Sequence, residues 1–464
     1  MVIEKLKIFV FLILILTVQL WSVDSSLSIL KVDLQKAEAL ALSNNFDITI
    51  NSVKNQILVE SKNEAWRAYL PQVGVNYSNN VMVAKRGPDT RSHELSLNLK
   101  QPIFDGGRAS LQHKLAKLNI VLNKSEYKRM IDNVKLQVRV SFYNLIQAIE
   151  KLRIHQKSII RTKLQLELTS KENKLGMVTK LDLIEVKSRL KEIQVEYYKM
   201  VRDYESLKLE FNQLLGVKRN LRIQYVARPL SEIPIQVNKR SLKEVLSIAY
   251  SKRPEIFQNK INVMKARVEY NITRSLLVPT LSLTSTYGLT GPEWPPRTKG
   301  WSVGFVIDTN LFGSTASNNS TANSSNNDYT KGYGTRSSLN VMDDPGFYKR
   351  RLESLVSLES ASYEAKHLKD NIYLEIKKAY DILSSNYEIQ KLAGERRDLV
   401  KERLMIEAKK VQLGGLKRID LMETEMEYLQ SAAGYISAKI EYIISVHKLE
   451  ITMGVAPDFL SLVQ

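Results

Sequence analysis

The sequence predicts a mainly α chain built as two tandem repeats, each running helix, strand, strand, long helix, helix, with the strands of several chains pooled into a membrane β-barrel. Three observations lead there. First, the second half repeats the first at a constant offset. Leu34 and Leu242, Pro71 and Pro279, and Phe104 and Phe312 stand 208 positions apart. Beyond a Ser/Asn-rich insert the offset becomes 238. It then relates Leu136 to Leu374, Phe142 to Tyr380, Leu175-Gly176 to Leu413-Gly414, Asp182-Leu183 to Asp420-Leu421, and Gly216-Val217 to Gly454-Val455. Self-similarity at one period marks a duplicated unit, so function belongs where the copies meet around an axis. Second, each half holds a pair of stretches alternating apolar and polar residues. Third, each half holds a very long helical pattern broken at Leu-Gly.

In order along the chain, residues 1–26 have a basic start (Lys5, Lys7), an apolar run from Ile8 to Leu16 and a small polar exit from Ser22 to Ser26. That pattern reads as a secretory signal peptide. A membrane-anchored N-terminus is the competing reading, although the run is short for a span and no later stretch reaches about 18 apolar residues. The first repeat occupies 27–230 and the second 231–464. Each opens with a helix, Val32 to about Ala68 and Ser241 to about Leu277, capped by Asp33 in one and by a Ser241/Glu244 capping box in the other. Pro71 and Pro279 end them.

The strand pairs are expected at about 72–104 and 280–312. Leu95, Leu97 and Leu99 alternate with Ser96, Asn98 and Lys100, as Leu281 and Leu283 do with Ser282 and Thr284, and Trp301, Val303, Phe305 and Ile307 with mostly small or polar residues. Such period-two alternation gives a strand one oily and one wet face. Turns fall at Arg86-Gly87-Pro88-Asp89 and from Gly291-Pro292 to Pro295-Pro296.

Helical hairpins are expected at about 108–216 and 346–454. Their long arms run from about Arg108 to Lys174 and Lys349 to Gln412, with apolar residues recurring at threes and fours, as in Leu164, Leu166, Leu168 and Leu175, or Leu181, Ile184 and Leu190. An arm of about 65 residues spans roughly 100 Å. Folded back at a glycine, it makes an antiparallel coiled coil with solvated charged faces. Four strands per chain do not close a barrel, and an open edge is untenable in a bilayer. Three chains would supply twelve strands, enough for an aqueous lumen.

Composition narrows the function classes. The chain has no cysteine, hence no disulfide and no thiolate metal site. His93, His113, His155, His367 and His447 are scattered without metal-ligand spacing. No metal and no cofactor are expected. The net charge of +19 would suit nucleic acid, but the Lys and Arg are interleaved with Glu along helical stretches, as on solvated faces. Nucleic acid is not an expected partner. No nucleophile–base set or phosphate loop points to an enzyme.

Several motifs, repeated in order, resemble the TolC-like outer-membrane efflux proteins over nearly the whole mature length. They are Leu34 to Asn45 (LQKAEALALSNN) and its copy Ser241 to Glu255 (SLKEVLSIAYSKRPE), Tyr69-Leu70-Pro71, Gln101-Pro102-Ile103-Phe104-Asp105-Gly106-Gly107, and the tips Gly176-x5-Asp182-Leu183 and Gly414-x5-Asp420-Leu421. The resemblance implies a homotrimer: a 12-stranded barrel in outer-membrane lipid continuing into a long periplasmic tunnel of coiled-coil helices. It also implies a periplasmic adaptor (membrane fusion protein) and an inner-membrane transporter, proton-driven of RND type or ATP-driven of ABC type. The duct would serve efflux or type I secretion.

By the same resemblance, Leu175, Gly176, Met177, Leu413, Gly414 and Gly415 are the expected adaptor-contact tips. Asp420 and Glu423 are the expected entrance gate; three apart, they share one helix face, and their ring would disfavour anions. Asp182 and Glu185 have the same spacing, but the resemblance puts that hairpin on the outer side, where a first-turn carboxylate simply favours the helix N-terminus. Tyr77, Phe104, Tyr287, Trp294, Trp301 and Phe312, near strand ends, suit an aromatic girdle. The insert at about 313–342, rich in Ser, Asn, Thr and Gly, is expected to be a flexible loop at the periplasmic rim. The alternative to a duct is a non-conducting periplasmic coiled-coil tether, and behind that a basic cytoplasmic coiled coil.

Overall fold

A computed structural model describes residues 30–460 except 86, 218–222, 227–239, 326–329, 417 and 458. The signal peptide expected over 1–26 lies outside the described residues. Strand β1 (Leu30–Val32) leads into α1 (Leu34–Asn44) and α2 (Phe46–Arg67), then β2 (Gln72–Met82), β3 (Thr90–Phe104), α3 (Arg108–Lys174) and α4 (Lys180–Leu214). Strand β4 (Ile223–Tyr225) pairs in parallel with β1. The second half follows as α5 (Leu242–Lys252), α6 (Pro254–Ser275), β5 (Thr280–Gly291), β6 (Thr298–Asn310), β7 (Thr315–Ser325), β8 (Thr330–Asn340), α7 (Phe347–Gln412) and α8 (Arg418–Thr452).

Each opening helix is broken in two, where the sequence led us to expect one. Asn45 both ends α1 and caps α2, accepting the Ile48 N–H at 3.0 Å. In the second copy Pro254 is the first residue of α6, and its ring holds Arg253 in the extended region that ends α5. Asp33 caps α1 as expected. Ser241 accepts the Glu244 N–H at 3.4 Å, one half of the expected capping box.

The core shows the duplication in its packing. One cluster holds Ala37, Ala41, Val134, Val138, Leu145, Phe211 and Leu215; the other holds Val245, Ala249, Ile372, Ile376, Leu383, Leu449 and Met453. Position by position these are the same seven sites at offset 208 or 238. The chain turn at each hairpin's far end is also shared. A Cβ on Gly216 would lie 2.6 Å from Asn44 Cβ, and one on Gly454 would lie 2.8 Å from Arg253 Cα. Glycine is required at both, since each also has positive φ.

The long helices lie side by side in the order α4, α3, α8, α7. α8 is the most buried, being flanked by α3 and α7. The outer two keep large apolar residues in the open, among them Tyr198 and Leu209 on α4 and Leu392 and Leu399 on α7.

The sheet is a six-stranded antiparallel ribbon, β2-β3-β5-β6-β7-β8. The four expected strands are present, and the 13 residues of β6 extend about 40 Å, or about 30 Å of height at a barrel-like tilt. That matches a bilayer core. The two extra strands correct the reading of the insert as a flexible loop. β7 pairs with β6 from Asn310↔Thr315 to Gly300↔Ser325, and β8 pairs with β7 from Thr315↔Asn340 to Ser325↔Thr330. A polar sequence orders here without a core of its own because an existing strand edge supplies a full ladder of backbone partners. The insert leaves and rejoins the chain at the end of the sheet next to α7 and runs the length of the sheet in between.

Candidate functional site

The two hairpin tips are built alike. Gly176 and Gly414 take left-handed φ of 71° and 73°. In the first, Met177 N–H bonds Glu172 C=O and Gly176 N–H bonds Asn173 C=O; in the second, Gly415 N–H bonds Lys410 C=O and Gly414 N–H bonds Val411 C=O. This is the Schellman ending, which satisfies the last carbonyls of a helix and needs a residue free to adopt positive φ. Leu175, Met177 and Leu413 are then left exposed, at 75%, 73% and 86%. Apolar side chains held that openly on a rigid turn form a surface suited to a partner.

Just past the tips the two copies diverge. In the first, Thr179 and Asp182 form a reciprocal capping box: Asp182 N–H donates to Thr179 Oγ1 at 3.2 Å, and Thr179 N–H donates to Asp182 Oδ2 at 2.8 Å. The corresponding pair in the second copy is Lys417 and Asp420, which offers no hydroxyl to cap with. Asp420 and Glu423 lie in the open on α8, with no ion pair among the described residues. Asp182 is therefore a cap, while Asp420 and Glu423 are exposed on the first turns of α8.

Between tip and mid-length the helices are fastened by polar side chains. Arg418 on α8 pairs with Glu172 on α3, and Gln165 on α3 donates to Glu425 on α8 at 3.1 Å. On the other flank Thr424 donates to Glu407 of α7, while Arg403 bonds Glu407 at 2.8 Å and Glu427 at 3.1 Å. Burial pushes the Glu425 carboxyl above its ordinary range, against the pull of Gln165 and Arg161. Glu407 also feels burial, but its bonds to Thr424 and Arg403 outweigh it and hold the carboxyl below the ordinary range.

The buried stripe of α3 here is His155, Ser158, Thr162, Gln165 and Thr169, recurring at threes and fours. His155 Nδ1, Gln165 Oε1 and Thr169 Oγ1 find no partner among the described residues, and burial lowers the His155 pKa. Leu164 and Leu168, which the periodicity counted as seam residues, are exposed instead. A polar, partly unsatisfied seam costs free energy that an apolar one would not. The sequence carried the signal in the threes and fours of the polar residues.

At the other end of the molecule, Tyr77 and Trp294 meet edge-on with centroids 5.1 Å apart, and Tyr77 Oη lies 3.0 Å from His93 Nδ1. Tyr287 and Trp301 are register partners one level in, and Phe104 and Phe312 lie at the opposite rim. All six are about half exposed. Val73, Val75, Leu97, Val303, Phe305 and Ile307 are exposed on the strands between. Among the described residues no helix is long and apolar enough to cross a membrane, and no acidic, histidine or cysteine cluster fits a metal ion.

Comparison with known proteins agrees with this architecture. Residues 39–217 match the sequence profile of the family described as Outer membrane efflux protein. Outer membrane protein TolC of Vibrio cholerae is 23% identical over 192 residues, which cover 39% of this chain. The match spans 44% of that relative's length. A membrane protein from Pseudomonas aeruginosa superposes with a TM-score of 0.73 over 92% of this chain and 91% of its own, at 13% identity. The Campylobacter jejuni CmeC outer membrane channel does so with 0.73 over 91% and 85%, at 16% identity. With two core clusters related by the same two offsets and paired Leu-Gly tips, the chain is similar to the TolC-like outer membrane efflux proteins, in sequence over residues 39–217 and in fold over 92% of its length.

Proposed function

We propose that the protein is the exit duct of a tripartite export assembly, located in the outer membrane and extending into the periplasm. Three chains form it, and it catalyses no reaction. The observation that carries this reading is the coincidence of two open layers on one chain. The sheet has an apolar face of membrane height and free edges, and below it a four-helix layer about 100 Å long has apolar residues exposed on both outer helices. Each layer closes only by repetition around an axis.

Exposed Leu175, Met177 and Leu413 support adaptor docking at the tips. Asp420 and Glu423, uncapped and open, support a cation-selective entrance. The polar ties between α3 and α8, Glu172 with Arg418 and Gln165 with Glu425, support an entrance that opens by parting the hairpins. The inner-membrane transporter and the cargo are set by partners outside this chain. The test is conductance in planar bilayers: the purified protein is expected to give discrete pores. Failure to conduct, together with unchanged sensitivity of deletion cells to exported compounds, would sink the duct reading in favour of the tether.

A further inference from the structure

The duplication lets the seam between chains be written residue by residue, and that seam is already taken. Within each repeat the strands pair in one register, Gln72↔Lys100 and Thr280↔Asp308, both members displaced by 208. Between repeats, β3 pairs antiparallel with β5 as Leu95↔Leu289, Leu97↔Tyr287 and Leu99↔Ser285. The same step applied to that joint carries β3 onto β6 and β5 onto β2 of a second copy. The resulting pairs are Val303 with Val81, Phe305 with Asn79, Ile307 with Tyr77, and Thr309 with Val75 of the second copy. The exposed Val75, Tyr77 and Val81 then continue the row of Val303, Phe305 and Ile307. A barrel wall in lipid requires such an unbroken row.

In the single chain β7 holds that edge. Val303 pairs with Ala322, Phe305 with Ser320 and Ile307 with Asn318. The row runs on into β8 through Tyr333, Thr335 and Ser337. β7 reads TASNNSTANSS and β8 reads TKGYGTRSSLN, so neither has a face that hydrocarbon accepts. The panel is nonetheless well seated. Gly304 leaves room where a Cβ would come within 2.5 Å of Ser320 C=O. Ser317 Oγ donates to Asp308 at 2.6 Å, and Thr315 N–H donates to Asp343 at 2.9 Å.

We propose that β7–β8 is a detachable guard on the β6 edge: it pairs there in the unassembled chain and yields to β2 of a second copy at the register above. The proposal rests on the trimeric reading. One antiparallel ladder replaces another, so hydrogen bonding is conserved and the change in apolar contact favours assembly. Until then the guard replaces the apolar edge of β6 with the polar edge of β8, which carries Lys331 and Arg336 and templates aggregation less readily.

The absence of cysteine makes the test clean. Val303→Cys with Val81→Cys is expected to cross-link neighbouring chains in the membrane, read as disulfide-linked oligomers on denaturing gels. Val303→Cys with Ala322→Cys, oxidised before assembly, is expected to stay monomeric and to form trimers once reduced. Deletion of 313–342 joins Phe312 to Asp343, as Phe104 joins Asp105, and is expected to leave trimer formation intact. The guard is wrong, and β7–β8 is barrel wall, if the oxidised Val303→Cys/Ala322→Cys chain forms trimers like wild type. It is equally wrong if trimers form without the Val81–Val303 cross-link, or if the deletion abolishes them. Absence of oligomers in the wild type would instead overturn the trimeric reading, and the guard with it.

Discussion

Asp182 and Asp420 occupy one position in two copies, but only Asp182 has a hydroxyl three residues before it. Thr179 enlists Asp182 in a capping box, so Thr179→Ala is expected to cost about 1 kcal/mol in denaturant unfolding and to leave ion selectivity unchanged. Asp420→Ala with Glu423→Ala is expected to do the reverse: little change in stability, but weakened cation selectivity in bilayer recordings. Glu425 supplies a pH dependence. Its carboxyl is raised in the folded chain by burial, so its contribution to stability is complete below the ordinary carboxylate range and is lost as pH rises through the raised value. Glu425→Gln should therefore raise the thermal midpoint at pH 7 and converge with wild type below about pH 4. Glu450 is fully buried, 2.9 Å from His447 and accepting the Leu460 N–H at 2.7 Å. Glu450→Ala is expected to cost roughly 3 kcal/mol by urea titration, since it strands buried donors.

At the scale of elements, the turns between helices separate glycines needed for conformation from those needed for space. Gly414 has a positive φ with nothing within 4 Å of an added Cβ, so Gly414→Ala carries only the left-handed penalty, about 1 kcal/mol. Gly454 has the same φ but also abuts Arg253 at 2.8 Å, so Gly454→Ala is expected to cost about 3 kcal/mol or more. Chemical denaturation of the two variants side by side checks the difference. The strands and long helices were legible because their periods of two and of threes and fours are direct consequences of one buried face. The kinks at Asn45 and Arg253-Pro254 were also written in the sequence, as a capping Asn and an X-Pro step, but a continuing periodicity masked them. The β7–β8 pair was not legible, since Ser- and Asn-rich strands have no apolar period to read.

For the whole molecule, the decisive feature is that both layers end in open edges on the same chain. Leu392 and Leu399 on α7, and Tyr198 and Leu209 on α4, are large and exposed although nothing in the single chain covers them. Leu392→Lys with Leu399→Lys is expected to reduce the trimer fraction by tenfold or more in detergent, with helix content unchanged. Light scattering with far-ultraviolet circular dichroism separates that outcome from misfolding.

The sequence by itself determined the duplication, the alternating strands, the long helices and the Leu-Gly tips, because each is a local pattern whose period or residue type has one structural meaning. The same offsets relate the seven core sites of one repeat to those of the other, once the structure has shown which sites are buried. Only the tertiary structure decided which apolar residues are buried. It turned Leu164 and Leu168 outward and placed the Ser, Thr, Gln and His stripe in the seam, because neighbouring helices and not the helix itself select the inward face. It also gave the polar insert a place in the sheet, since that order comes from hydrogen bonds offered by β6 and not from anything in the insert's own side chains.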